Sequence, residues 1–292
     1  MKTRNDDEMM QLIINTAMED ESIRAVVLNG SRADSSVKAD CFRDFDIVYI
    51  VKDYVPYINN IEWAKRFGDI MIMQLPNSMD ESTPEKECNM VFLIQFMDGT
   101  RIDLTIIDIH RYKDNGEPAV AILDKDGILP PFPAPDGSCY HINRPTYKQF
   151  YDCCNEFWWL CPYVAKGLWR GNAAYVRNVM EVYMRDMQLK LYGWYTASAH
   201  DYNIGIGKCG KLLHKYLTSE EYSLYLQTFP SAKEDEVWHS LFVMCSEFAR
   251  IASIVADRMG FYVDKDIWHW QNAVSDYLHH IKELDRNALS IY

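Results

Sequence analysis

Residues 30–51, "GSRADSSVKADCFRDFDIVYIV", decide how the first half of this chain is read. A glycine-serine pair ends one apolar run, and Asp44 and Asp46 open another that otherwise has the character of buried core. In a β-strand, residues two apart project to the same face, so Asp44 and Asp46 point together while Phe45 and Ile47 point to the opposite side. Two neighbouring carboxylates repel unless something positive lies between them. A hard cation with oxygen ligands meets that need, and Mg²⁺ takes one or two carboxylates together with substrate phosphates.

Working outward, "IRAVVLNG" (23–30) is the strand that feeds the turn, and residues 6–19 before it carry apolar positions at helical spacing. Downstream, "NMVFLIQF" (89–96) and "RIDLTIIDI" (101–109) flank "MDGT", where Asp98-Gly99 suits a tight hairpin turn. By the same alternation Asp103 shares a face with Arg101 and Thr105, opposite Ile102, Leu104 and Ile106. A strand pairing beside "DFDIVYIV" would bring three carboxylates together, as metal-assisted phosphoryl or nucleotidyl transfer requires. Gly30 lets backbone approach a phosphate and Ser31 adds a hydroxyl. A DxD pair alone is commonly a solvated face and a Gly-Ser alone a turn. The ordered set of strand, Gly-Ser, 12-residue spacer, Asp-x-Asp entering a strand and a further Asp in a later strand favours a site.

The Pro/Gly-rich "DKDGILPPFPAPDGS" (124–138) reads as a linker or long surface loop, because proline blocks both helix and ladder. Beyond it the period becomes helical in "TYKQFYDCCNEFWWLCPYVAKGLWR", "AAYVRNVMEVYMRDMQLKLYGWY", "VWHSLFVMCSEFARIASIVADRM" and "IWHWQNAVSDYLHHIKELD". The expected architecture is a mixed-sheet α/β (α+β) domain over 1–140 followed by an all-α bundle over 141–292.

The 292 residues are 48% hydrophobic and 25% charged, a composition that folds. The net charge is −12, and the excess lies in residues 1–145, with 25 acidic against 15 basic residues. Such a surface disfavours long polyanions, which are held through phosphate neutralisation, and admits small cationic partners. The start has acidic residues where an export signal needs basic ones, and no run reads as a membrane span, so a cytoplasmic protein with reduced thiols and no nucleic-acid or membrane partner is expected. Cys153, Cys154 and Cys161 lie in an aromatic helix with no matching Cys/His pair, which favours core packing over zinc.

The order of these features resembles the polymerase-β-type nucleotidyltransferase superfamily. "GSRADSSVKADCFRDFDIVYIV" and "RIDLTIIDI", with "IMIMQLPNSM" (70–79), "EFWWLCPYVAKGLWRG" (156–171) and "GIGKCGKLLHKYL" (205–217), make the chain similar to the aminoglycoside 6-adenylyltransferases, which inactivate streptomycin. The resemblance implies Mg²⁺-dependent transfer of AMP from ATP to an aminoglycoside hydroxyl, the 6-hydroxyl of streptomycin first. It implies Asp44 and Asp46 as metal ligands, Asp103 as general base or further ligand, and Gly30, Ser31 and Arg32 at the triphosphate. Asp34 and Asp40 in the spacer depart from the pattern and are left outside the site.

Lys208 and Lys211, set among glycines, suit triphosphate contact, with exposed helix-opening lysines as the plain alternative. Trp158 and Trp159 are adjacent and cannot share one helix face, so one belongs to the core and the other is free to line the acceptor cleft. Glu181 and Asp186 suit a guanidinium-bearing acceptor, against intrahelical pairing with Arg177, Arg185 or Lys190. Two other readings remain open at this level. One is a nucleotidyltransferase acting on a protein or RNA end, and the other a non-catalytic aminoglycoside- or nucleotide-binding protein.

Overall fold

The computed structural model describes residues 3–34, 37–79, 89–114, 116–133, 137–262 and 265–292. The chain divides into two compact units, Met1–Cys139 and Tyr140–Tyr292.

In the first unit, α1 (Asp6–Glu19) begins with a capping box in which Asn5 and Glu8 each satisfy the other's backbone N–H. It leads into β1 (Ile23–Asn29), a single 3-10 turn at Gly30–Arg32, and β2 (Phe45–Val51). After the short helix α2 (Ile61–Ala64) come β3 (Ile70–Gln74), β4 (Asn89–Phe96), β5 (Arg101–Asp108) and β6 (Ala119–Asp124). The six strands form one sheet in the order β3-β4-β5-β2-β1-β6. β2 and β5 run parallel, and every other neighbouring pair is antiparallel. A parallel pair needs a long crossover, supplied here by α2, β3 and β4. The β4–β5 hairpin closes at Asp98-Gly99, with Gly99 at φ +88.

Alternation decides what each face does. Ile47 and Tyr49 of β2, with Ile102, Leu104 and Ile106 of β5, are buried beneath Met9, Ile13 and Ala17 of α1. The opposite face carries a smaller cluster built on Ala25, Val27, Ile50 and Ala119. Asp46 and Asp103 belong to this second face, where the apolar cover is incomplete.

The second unit is helical: α3 (Tyr147–Trp169), α4 (Ala173–Asn178), α5 (Arg185–Ser198), α6 (Ser219–Gln227), α7 (Glu234–Met259) and α8 (Lys265–Glu283). Between α4 and α5 the chain is not α-helical as the periodicity suggests but winds as a π-helix over Val179–Met184. α3 packs on α8, and α5 on α7. The two long helices meet through Phe157 and Phe248, stacked with ring centroids 3.7 Å apart. Cys153, Cys154, Cys161 and Cys245 are buried, and none of the seven described cysteines forms a disulfide. α7 is long and apolar enough to cross a membrane by composition alone, and most of its apolar stretch is buried inside this unit.

Candidate active site

β2 and β5 place the acidic residues by register. Asp46 stands directly opposite Asp103 across the parallel ladder, and on its other side opposite Asn29 of β1. Gly30 follows Asn29 with φ +71, a left-handed conformation that glycine adopts without penalty. A Cβ built there would lie 2.3 Å from Asp46 Oδ2. The Gly30 N–H donates to the Pro118 carbonyl at 3.1 Å. Gly30 thus leaves room for the Asp46 carboxylate, and its own amide is engaged with Pro118.

Burial first, and then the charges of Asp103 and Asp44, push the Asp46 carboxyl up to about 6. Burial raises Asp44 as well, with Arg101 opposing. Arg101 pairs directly with these acids, while the charge of Arg32 also bears on Asp44 and Lys113 lines the same cleft as Asp46 and Asp103. The Arg101 guanidinium donates to both oxygens of Asp103, Nε to Oδ1 at 2.8 Å and Nη2 to Oδ2 at 2.9 Å, and its Nε lies 3.4 Å from Asp44 Oδ2.

The site opens to a cleft of about 360 Å³ lined by Gly30, Asp46, Asp103, Thr105, Tyr112 and Glu117, among others. Three carboxylates with hard oxygen donors are the chemistry that suits Mg²⁺. With Asp103 and Asp44 drawn onto Arg101, however, no group of three or more acidic, His or Cys side chains among the described residues is disposed to hold a metal ion. The donors fit the ion, and Arg101 stands among them.

The remaining expected residues separate into several kinds. Ser31 lies in the turn at Gly30–Arg32 and is partly exposed. Arg32 spends its guanidinium on the protein: Nε donates to the Asp44 carbonyl at 2.9 Å, Nη2 to the Arg43 carbonyl at 2.8 Å, and Nη1 pairs with Asp6. It also stacks over the Phe45 ring at 3.8 Å. These contacts hold the entry to β2 in place, and the guanidinium expected at the triphosphate is engaged in them.

In the second unit, Lys208 and Lys211 are exposed. The glycines around them answer to backbone geometry and packing. Gly207 and Gly210 have φ +70 and +73, and a Cβ on Gly205 would lie 2.2 Å from the Tyr140 carbonyl. Trp158 is 3% exposed in the core and Trp159 is 62% exposed. Trp158 is the core member of the pair, packed against Phe157 and Phe248. Glu181 pairs with Arg185 at 3.2 Å and Asp186 with Lys190 at 2.8 Å, each one helical turn away. These are the intrahelical pairs weighed against an acceptor role, and both carboxylates are engaged in them.

Two contributors had gone unassigned. Arg101 was visible on the face of Asp103, but its partnership with Asp44 depends on the β2–β5 register. Glu117 reaches the cleft from the loop before β6, where no periodicity marks it.

A family model described as streptomycin adenylyltransferase matches residues 3–281. An aminoglycoside 6-adenylyltransferase of Bacillus subtilis (strain 168) is 34% identical over 268 residues, covering 90% of this chain and 94% of that protein. One from Staphylococcus aureus is 30% identical over 263 residues, covering 89% and 93%. A crystal structure of an aminoglycoside 6-adenyltransferase from Bacillus subtilis is 29% identical, covers 96% of this chain and 100% of that one, and has a TM-score of 0.48.

Proposed function

The chain belongs to the streptomycin adenylyltransferase family, and from that premise we propose that it transfers AMP from ATP to a hydroxyl of an aminoglycoside, the 6-hydroxyl of streptomycin first. The observation that carries the reading is the register that sets Asp46 against Asp103, beside a Gly30 whose missing side chain leaves the space for the carboxylate.

Asp44, Asp46 and Asp103 are the residues that would hold Mg²⁺, which when bound neutralises charge on the triphosphate. The chain's own groups do the rest. Asp103 accepts the proton of the acceptor hydroxyl, whose oxygen forms a bond to the α-phosphorus. The bond from that phosphorus to the bridging oxygen breaks, and pyrophosphate leaves. Ser31 offers a hydroxyl to the phosphates beside Gly30, and Arg32 keeps the Asp44 backbone where β2 begins. Lys208 and Lys211, both exposed, are the residues of the second unit offered for phosphate contact. Trp159 offers an exposed aromatic face to a cationic sugar.

The acidic surface fits an acceptor that is a small cation better than RNA. The test is pyrophosphate release from Mg-ATP with and without streptomycin, beside Asp103→Asn. Release that depends on streptomycin and is lost in the variant supports the transfer and the base. Binding of streptomycin without release would replace it with a sequestering protein, and neither would leave the acceptor assignment wrong.

A further inference from the structure

Arg101 has no place in the reaction just described, yet both oxygens of Asp103 are committed to it. The two-pronged contact, 2.8 and 2.9 Å, is the charge-assisted geometry that guanidinium makes with carboxylate, and the 3.4 Å approach to Asp44 draws a second acid to the same cation. Asp103 and Asp44 are two of the three residues assigned to the metal. A divalent ion and Arg101 would therefore compete for the same carboxylate lone pairs.

The backbone holding Arg101 is fixed, while its side chain can leave. It is the first residue of β5, paired with Gln95 of β4. The hairpin turn just before it is tied down by Arg4, which donates to the Asp98 carboxylate at 2.6 Å and the Thr100 hydroxyl at 2.8 Å. The Arg101 side chain is 41% exposed, so a guanidinium released from Asp103 keeps access to solvent. Arginine recognises phosphate with the same fork that it uses on carboxylate.

We propose that Arg101 is a positioning residue that acts as an internal counter-cation. It holds Asp44 and Asp103 together when no metal is bound, and it is exchanged for a divalent ion that arrives with the nucleotide. The triphosphate then compensates the displaced guanidinium, so metal and nucleotide each strengthen the binding of the other. The inference rests on the metal assignment made under the proposed function. Its content is that the free metal is held weakly because of Arg101.

The experiment titrates Mn²⁺ into the full chain by calorimetry, with and without α,β-methylene-ATP, for wild type, Arg101→Gln, Arg101→Lys and Asp46→Asn. Without nucleotide, Arg101→Gln is expected to bind Mn²⁺ about fivefold or more tightly than wild type, the scale of losing one partly exposed ion pair to the competing cation. The enhancement by the nucleotide analogue shrinks by a similar factor. Arg101→Lys, which keeps the charge but not the fork, falls between the two. A purely structural Arg101 predicts the reverse, because losing it would disorder the carboxylates and weaken Mn²⁺. Equal or weaker Mn²⁺ binding by Arg101→Gln therefore overturns the proposal. Should that variant not fold, the same comparison with Arg101→Lys decides. If wild type binds Mn²⁺ no better than Asp46→Asn even with the analogue, the metal reading fails and takes this inference with it. If wild type binds with the analogue and the Arg101 variants match it without, only the inference falls.

Discussion

Asp46 and Asp103 face each other as register partners on two parallel strands, with Asp44 close enough to add its charge to Asp46. A chain optimised only for stability would not leave this arrangement on a half-covered sheet face, because each acid raises the cost of ionising the next. Asp46→Asn should therefore abolish turnover while raising the midpoint of thermal unfolding in EDTA at neutral pH. Calorimetry beside an activity assay checks this. A variant that is both inactive and less stable would mean that Asp46 is held by contacts other than those described.

Gly30→Ala tests the close approach at the turn. A methyl group would meet Asp46 Oδ2 at 2.3 Å, and the residue would have to keep φ +71. The left-handed conformation costs an alanine about 1–2 kcal/mol. Displacing Asp46 by even a fraction of its present clearance is expected to lower kcat by about a hundredfold, the scale attached to misplacing a catalytic group by ~1 Å. Circular dichroism and kcat on the same preparation separate the two effects, since the fold should survive.

The adjacent tryptophans of α3 divide the work. Trp158→Ala opens the core beside Phe157 and Phe248 and should cost about 3–5 kcal/mol. Trp159→Ala, at 62% exposure, should leave stability within about 0.5 kcal/mol. If its ring stacks on a cationic acceptor, KM for streptomycin rises by about fivefold, matching ~1 kcal/mol for an exposed cation–π contact. Denaturant unfolding and steady-state kinetics read the two numbers independently.

How far the sequence could be read follows from where each element sits. β4 alternates buried and half-buried residues along its whole length, so its bounds and those of its hairpin partner were legible from residues 89–109. β3 and β6 were not. β3 is an edge strand with Met71 and Ile72 both turned to solvent, and β6 is half exposed and runs into the Pro/Gly-rich stretch, so neither shows a period of two. The candidate linker itself is described only outside 134–136. Within the site, alternation placed Asp44, Asp46 and Asp103 on matching faces. Only the parallel register, a non-local property, brought Asp103 to Asp46 and Arg101 to Asp44. The π-helical stretch at Val179–Met184 had no sequence signal, because its residues satisfy an α-helical period equally well.

Glu181 lies in that π-helical stretch, and its partner Arg185 is 6% exposed. Glu181→Gln removes a carboxylate from a buried guanidinium and should destabilise the second unit by about 1–2 kcal/mol, whereas Asp186→Asn, on an exposed pair, should cost about 0.5 kcal/mol or less. Neither should change KM for the aminoglycoside. A rise in KM for Glu181→Gln without loss of stability would return that residue to the acceptor site.

The hairpin turn that carries Arg101 gives a pH prediction of definite sign. Burial opposes ionisation of Asp98, but hydrogen bonds from Arg4 and from the Thr100 hydroxyl and amide outweigh it, and the carboxyl is held well below the usual carboxylate range. A carboxyl lowered in the folded state releases its proton more readily there than in the unfolded chain. Its stabilisation is therefore present above the unfolded value, about 4, and is lost as pH falls through the folded one. Asp98→Asn should thus be less stable than wild type at pH 7 by about 1 kcal/mol, or roughly 2–4 °C in the unfolding midpoint of the first unit. The gap should narrow steadily as the pH drops below about 4. A gap that stays constant between pH 7 and pH 3 would show that the charge on Asp98 contributes nothing and that the turn is held by the neutral hydrogen bonds alone.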